Sequence, residues 1–285
     1  MNKKRMITSL IISAVLLFAA GCENQSDTIS LVSREDGSGT RSAFIELFEI
    51  EEQNSSGEKE DMTSLEAQIT NSTSVVMTTV AGDKSAIGYI SLGSLNDTVK
   101  AIKIDGVGAN ANTIKDGSYK IQRKFHIVTK GGLTPAALDF MNYILSLDGQ
   151  KIVESEGYVP MDGAQSYQGT NPSQKVVVGG SSSVTPVMEK LAEAYKKVNA
   201  NANIEIQQSD STTGIKTASD GLCDIGMSSR ELKDSEKDLG LADTVIATDG
   251  IVVIVNKDNP TEDLRLEQVQ SIYMDKITDW SKVSQ

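Results

Sequence analysis

Two cysteines, one histidine and one tryptophan in 285 residues leave little material for several kinds of chemistry. With His126 alone, neither a Ser–His–Asp set nor a Cys/His metal constellation can be assembled. His126 also falls in an alternating, strand-like run, so it reads as structural. The cysteines are Cys22 and Cys223. If Cys22 is modified, Cys223 has no disulfide partner, and its setting in "LCDIGM" reads as a buried small hydrophobe. Positive charge is scarce as well. Lys and Arg number 27 against 39 Asp and Glu, a net charge of −12. That excludes the basic footprint nucleic-acid binding requires. It also excludes a general pull on anions, so an anion site here must work through local donors. The long apolar run, Met6 to Ala20, is too short and wrongly flanked for a membrane-spanning helix.

That run follows Lys3, Lys4 and Arg5 and reads as a secretory signal over residues 1–21. Cys22, directly after small residues, resembles a bacterial lipobox, with Ala19 where leucine is usual. The resemblance implies cleavage before Cys22, lipidation of Cys22 and a tether over 22–27. The alternative is an ordinary cleaved signal with an incidental cysteine. Cleavage leaves 264 residues and, without three basic residues, a charge of −15. A chain of this size suits one large domain or two lobes of roughly 130 residues.

Beyond the signal, apolar strand-like runs alternate with amphipathic stretches. Ile29 to Ser33 predicts a strand and Thr40 to Ile50 a helix, with Phe44, Leu47 and Phe48 on one face. "EEQNSSGEKED" reads as a solvated loop and Ser74 to Val80 as a helix. Thr134-Pro135 opens a helix running to about Val153. Residues 161–174, rich in Gly, Ser, Gln and Asn, read as a linker or long surface loop. "KVVVGG", "NIEIQQ", "CDIGM" and "GIVVIVN" then predict strands separated by helical stretches. The pattern predicts an α/β fold with mostly parallel sheets, whose ligands sit in strand-to-helix loops.

Four such loops share one character. "REDGSGTR", "GGSSSVTP", "SDSTTG" and "SSRE" each follow an apolar strand and are rich in small hydroxyl residues, with Arg34, Arg41 and Arg230 beside them. Glycines and small hydroxyls let backbone N–H groups converge at helix starts, where the positive dipole end favours an anion. Any one loop alone reads as mere helix capping; four together point to an oxyanion site. "GSGTR" lacks the Gly-Lys-Ser/Thr ending of a P-loop, and "DGSGTRSAF" lacks the third glycine of a dinucleotide fingerprint.

"VSREDGSGTRSAF", "SAIGYISLGSL", "GSSSVTPVMEKLAEAY", "DIGMSSREL", "DGIVVIVNKDNP" and "KITDWSKV" together resemble the PstS family, the phosphate-binding proteins of bacterial phosphate ABC transporters. The resemblance implies a two-lobed, type II periplasmic-binding-protein fold of α/β class, with phosphate in the interlobe cleft. It implies a membrane permease as partner and no enzymatic activity, cofactor or metal. The order of the halves differs: the family's C-terminal part here precedes its N-terminal part, as in a circular permutant. One lobe would then be 28–125 plus 251–285 and the other 126–250, including linker 161–174. The alternative is half of a tandem or swapped assembly.

Position by position, the resemblance implies phosphate contacts from Arg34, Asp36, Ser38, Gly39 and Thr40 of the first loop. It adds Ser183 with the N–H of Val184, then Ser211 and Ser229, with Ser228 a further candidate. Arg41 has three readings: phosphate contact, pairing with an acid, or bracing the loop. Asp36 would accept a proton from phosphate and so reject sulfate. Some family members carry a second Asp at the position of Ser229. The chain would be an extracytoplasmic, lipid-anchored receptor. Competing readings are a sensory or adhesion module on the same fold, a receptor for another tetrahedral oxyanion such as arsenate, and a phosphomonoesterase, for which no nucleophile–base pair or metal set is present.

Overall fold

In the computed structural model the described residues are 28–55, 57 and 59–283. The signal segment, Cys22 and the 22–27 tether lie outside them. In chain order the elements begin β1 (Ser30–Arg34), α1 (Gly39–Leu47), β2 (Glu51–Gln53), β3 (Lys59–Asp61), β4 (Gln68–Thr70), α2 (Thr73–Gly82) and β5 (Ala86–Ser91). Next come β6 (Lys100–Ala101), β7 (Lys103–Ile104), α3 (Ala111–Lys115), β8 (Gln122–Lys130), α4 (Pro135–Ile144) and α5 (Leu147–Ser155). The last are β9 (Lys175–Ser181), α6 (Thr185–Val198), β10 (Asn203–Ser209), α7 (Ser211–Ser219), β11 (Ile225–Ser228), α8 (Asp234–Lys237), β12 (Leu241–Val255), β13 (Asp263–Leu264) and α9 (Leu266–Tyr273).

The main sheet runs β10-β9-β11-β8-β12-β5-β1-β4, with β6 added beside β12. It is mixed, which corrects the expectation of mostly parallel sheets. Parallel trios at the two ends, β10-β9-β11 and β5-β1-β4, flank two long antiparallel strands, β8 and β12. Two parallel trios explain the strand–helix alternation in the sequence; β8 and β12 carry the chain between them.

The cores follow the strand period of two. On β12, Ile251, Val253 and Val255 face one core while Val252 and Ile254 face another across the sheet. Both belong to the β5-β1-β4 end. Around the other trio, Phe125, Ile127, Val176, Val178 and Ile225 pack against α4 and α6 through Phe140, Met188 and Leu191. A smaller cluster of Val128, Ile215, Ala218, Cys223 and Leu232 lies on the opposite face. The two sets part between Ile121, just before β8, and Phe125 on it, and between Ala247 and Ile251 on β12.

The helix expected over 134–153 breaks into α4 and α5. Ser146 causes the break: its hydroxyl donates to Tyr143 O (2.7 Å) and accepts from Gly149 N–H (3.2 Å), capping a new helix. The "EEQNSSGEKED" stretch, expected as loop, pairs as the β2–β3 hairpin. Residues 161–174 have no regular structure but are fastened down. Buried Asp139 accepts from Tyr167 Oη (2.5 Å), Thr170 N–H (2.9 Å) and Thr170 Oγ1 (3.0 Å), and Asn199 Nδ2 donates to Pro172 O (2.9 Å). Near the ends of the described chain, Thr28 bridges to Asp279 and Ile29 N–H donates to Thr278 O (2.9 Å).

Candidate functional site

Four helices start at one place. Ser38 caps α1, its Oγ accepting from Arg41 N–H, and Thr40 follows in the first turn. Ser72 caps α2, which opens with Thr73. The turn Ser181–Val184 leads from β9 into α6. Asp210 caps α7, which opens with Ser211. The first two helices belong to the β5-β1-β4 end of the sheet and the last two to the other end. Orphan N–H groups of helix starts thus point inward from both sides.

Side chains join the two sides directly. Thr40 Oγ1 lies 2.7 Å from Ser183 Oγ, and Thr73 Oγ1 lies 3.3 Å from Ser182 Oγ and 3.4 Å from Ser183 Oγ. Arg34 Nη2 donates to Ser182 Oγ at 3.0 Å, and Nη1 to Thr73 Oγ1 at 3.4 Å. Thr212 donates to Gly37 O through both its N–H and its hydroxyl, at 3.2 Å each. On the far side Ser181 Oγ donates to Ser229 Oγ (3.0 Å), and Ser211 Oγ accepts from Ser229 N–H (3.0 Å). The approach depends on Gly39: a Cβ there would stand 2.5 Å from Ser211 Oγ and 2.7 Å from Ser229 Oγ. Gly180, at φ 132°, and Gly214 allow α7 to lie close on β9, which carries Ser211 to the cluster.

Arg34 is the charged centre, 2% exposed. Its guanidinium is held by a bidentate contact with Glu35, Nε to Oε2 at 2.8 Å and Nη2 to Oε1 at 2.7 Å. Glu35 is 23% exposed and folds back onto the Arg34 guanidinium. The Arg34–Glu35 pair is neutral overall, so attraction for an anion falls to N–H groups and hydroxyls around one guanidinium.

Of the residues expected from sequence, Arg34, Ser38, Gly39, Thr40, Ser183, Ser211 and Ser229 come together, all buried. Asp36 does not join them. Its side chain is 98% exposed, with Arg41 Nη2 3.8 Å away, so the proton-accepting role expected of it has no geometric basis here. The N–H of Val184, expected to meet the ligand, donates instead to Ser181 O (3.1 Å) inside the turn. Ser228 is spent on its own turn, donating to Arg230 O (2.7 Å). Arg41 pairs with Asp61 (Nη2 to Oδ2, 2.7 Å) and braces the loop through Arg34 O (Nη1, 2.7 Å). Burial works against that carboxylate, but hydrogen bonds from Thr63 and Arg41 hold Asp61 below its ordinary range. Arg230 is likewise engaged, with Glu236 (2.6 and 2.8 Å).

Ser181, Ser182 and Thr73 were not singled out from sequence. Ser181 and Ser182 lie in the same serine run as Ser183. Thr73 follows a Ser72 cap, the hydroxyl-at-helix-start signal of the other loops, but predicting the helix from Ser74 hides it.

Behind the cluster, where β8 and β12 cross between the cores, Arg123 and Asp249 are cross-strand partners. Arg123 donates to Asp249 Oδ2 through Nε (3.1 Å) and Nη2 (3.0 Å), and Ser91 Oγ donates to Oδ1 (2.8 Å). Burial pushes Asp249 up to about 6 even against these donors. Elsewhere His126 Nδ1 bonds Asp243 Oδ1 (2.8 Å), and Cys223 is buried, its thiol pushed up by that burial. Among the described residues no His/Cys/Asp/Glu group could hold a metal, and no helix is long and apolar enough to cross a membrane.

The PBP superfamily domain model matches residues 16–148 and 165–285. "Phosphate-binding protein PstS 2" of Streptococcus agalactiae is 57% identical over 292 residues, covering 100% of both chains. The protein of that name from Streptococcus pneumoniae is 40% identical over 99% of this chain and 100% of its own. A crystal structure of a phosphate-binding protein of a phosphate ABC transporter from S. pneumoniae matches with a TM-score of 0.70 and 42% identity, covering 90% of this chain and 100% of that one. The mixed α/β sheet, the two sets of core residues and the end-to-end identity agree: the chain belongs to the PstS family of phosphate-binding proteins.

Proposed function

We propose that this protein captures inorganic phosphate outside the cytoplasm and delivers it to the membrane permease of an ABC importer. It is a binding protein and not an enzyme. One observation carries the reading: Arg34 and the hydroxyls of Thr40, Thr73, Ser182 and Ser183 meet across two helix pairs that belong to different cores. A small tetrahedral anion offers acceptors in all four directions, which suits donors converging from both sides. The contacts we assign are Arg34, Ser38, Gly39, Thr40, Ser183, Ser211 and Ser229, with Ser182 and Thr73 added. Two lobes, 28–125 plus 251–285 and 126–250, close on the ligand about β8 and β12.

Calorimetric titration of the mature chain with phosphate tests this. We expect one site per chain and a loss of roughly a hundredfold or more in Arg34→Ala, the scale of a charge-assisted contact inside a desolvated site. Absence of phosphate binding by the unaltered chain would sink the proposal. Lipid anchoring through Cys22 is tested separately: Cys22→Ala should be released from the membrane fraction.

We further infer that the halves are circularly permuted and self-sufficient. Supporting this, Thr28 lies against Asp279, residues 161–174 are strapped onto Asp139, and both sides of the site come from one chain. A monomer binding one phosphate is expected by light scattering; an obligate dimer would point to a swapped assembly.

A further inference from the structure

At the base of the interlobe contact, three polar atoms are buried without a hydrogen-bond partner: Tyr158 Oη, Arg123 Nη1 and Ser94 Oγ. Arg123 belongs to the Arg123–Asp249–Ser91 group, and the Tyr158 hydroxyl lies within electrostatic reach of its Arg123 and Asp249. Tyr158 packs on Phe125 at 5.4 Å between centroids, in the core of the 126–250 side, while Arg123 Cζ stands 5.2 Å over the same Phe125 ring. From the other side comes the turn Leu92–Ser94, at the end of β5. Gly93 lies under the Tyr158 ring so tightly that a Cβ would reach Cε2 at 2.6 Å and overlap Cζ and Oη. Tyr158 and Gly93 therefore belong to different lobes and meet face to face where the lobes join.

Buried polar atoms without partners are uncommon and costly, because they lose water and gain nothing. Ser91 Oγ stands close enough to the Tyr158 hydroxyl to favour its ionised form, but no bond between them meets hydrogen-bonding geometry, and the Ser91 hydroxyl proton is given to Asp249. Nor can Arg123 turn to satisfy Nη1, since Nε and Nη2 are fixed on Asp249. If the lobes part as proposed above, Tyr158 lifts from Gly93 and water reaches the hydroxyl. The cost thus falls on the closed form and not on the open one.

We propose that Tyr158, seated on Gly93, is a positioning residue that lowers phosphate affinity by penalising closure. The inference rests on the phosphate reading and on closure about β8 and β12. No hydrogen bond or ring contact joins the Tyr158 side chain to a residue assigned to the anion site, so it acts on the open–closed balance. A receptor that must release its ligand to a permease gains from such a bias, because dissociation requires opening.

The test uses Tyr158→Phe and Gly93→Ala in the mature chain. Removing only the hydroxyl relieves one unpartnered atom, so Tyr158→Phe should bind phosphate about tenfold tighter and release it correspondingly more slowly. Gly93→Ala, which adds a methyl under the ring, should weaken binding. Ser94→Ala should move in the same direction as Tyr158→Phe. Small-angle scattering without phosphate provides an independent readout: Tyr158→Phe should be more compact than the unaltered chain. Unchanged or weaker binding by a folded Tyr158→Phe protein, as when an ordered water satisfies the hydroxyl, overturns the proposal. If the unaltered chain binds no phosphate, the functional reading fails, and the ligand-free scattering comparison still decides on Tyr158.

Discussion

Thr40 Oγ1 and Ser183 Oγ lie 2.7 Å apart, across 143 residues of chain and between two hydrophobic cores. Each hydroxyl stands in the first turn of a helix, or just before one, so each can also donate to an anion held between them. Losing either should remove one ligand contact and one contact between the lobes. Thr40→Val and Ser183→Ala are each expected to weaken phosphate binding roughly five- to thirtyfold, on the order of 1–2 kcal/mol. The double variant should cost less than the sum of the two, since the groups are direct neighbours. Full additivity in a calorimetric cycle would show that they act separately.

Gly39 brings the start of α1 against the Ser211–Ser229 side. A methyl there must displace hydroxyls that come from the β10-β9-β11 end of the sheet. Gly39→Ala should therefore weaken phosphate binding at least about tenfold. Each proposed lobe would still fold, because the clash lies between the two core sets; thermal melting without phosphate should change little. Binding as tight as that of the unaltered chain would mean the contact is not kept in the complex.

The legible part of the site was its backbone logic. An apolar strand, then glycine and small hydroxyls, then a helix is visible in sequence, and it locates Arg34, Ser38 to Thr40, Ser183, Ser211 and Ser229. Which way a loop carboxylate points is not visible. Glu35 and Asp36 are adjacent acids past the end of β1, and only the turn decides that Glu35 folds back on Arg34 while Asp36 faces solvent. The same holds for fold detail. Strand–helix alternation reveals the two parallel trios but not the antiparallel β8 and β12 between them, since a strand's period of two does not encode direction. The β2–β3 hairpin was illegible because its paired residues are charged and polar, with no apolar alternation.

Asp36 gives a prediction of no effect. With its side chain in solvent, Asp36→Asn should leave the preference for phosphate over sulfate within about twofold, the usual range for an exposed substitution. Competition calorimetry with sulfate measures this directly. A tenfold loss of discrimination would place Asp36 in the bound site after a rearrangement of the loop.

The strap over residues 161–174 depends on Asp139, which is 3% exposed and also accepts from Tyr195 Oη at 2.7 Å. Burial works to raise its pKa, but the donors from Tyr167, Tyr195 and Thr170 outweigh burial and hold it below its ordinary 3.8. A carboxylate depressed in the folded protein adds stability that is fully present above its unfolded value and is lost as pH falls through the folded one. Asp139→Asn keeps the shape but gives up the charge and turns one acceptor into a donor facing donors. At pH 7 it should lower stability by about 2–3 kcal/mol, roughly 4–10 °C in melting midpoint for a chain of this size. The gap should stay constant down to about pH 5 and narrow below pH 4, where the native carboxylate takes up its proton. A gap that is the same at pH 7 and pH 3 would mean that the shape of the strap matters and not the charge of Asp139.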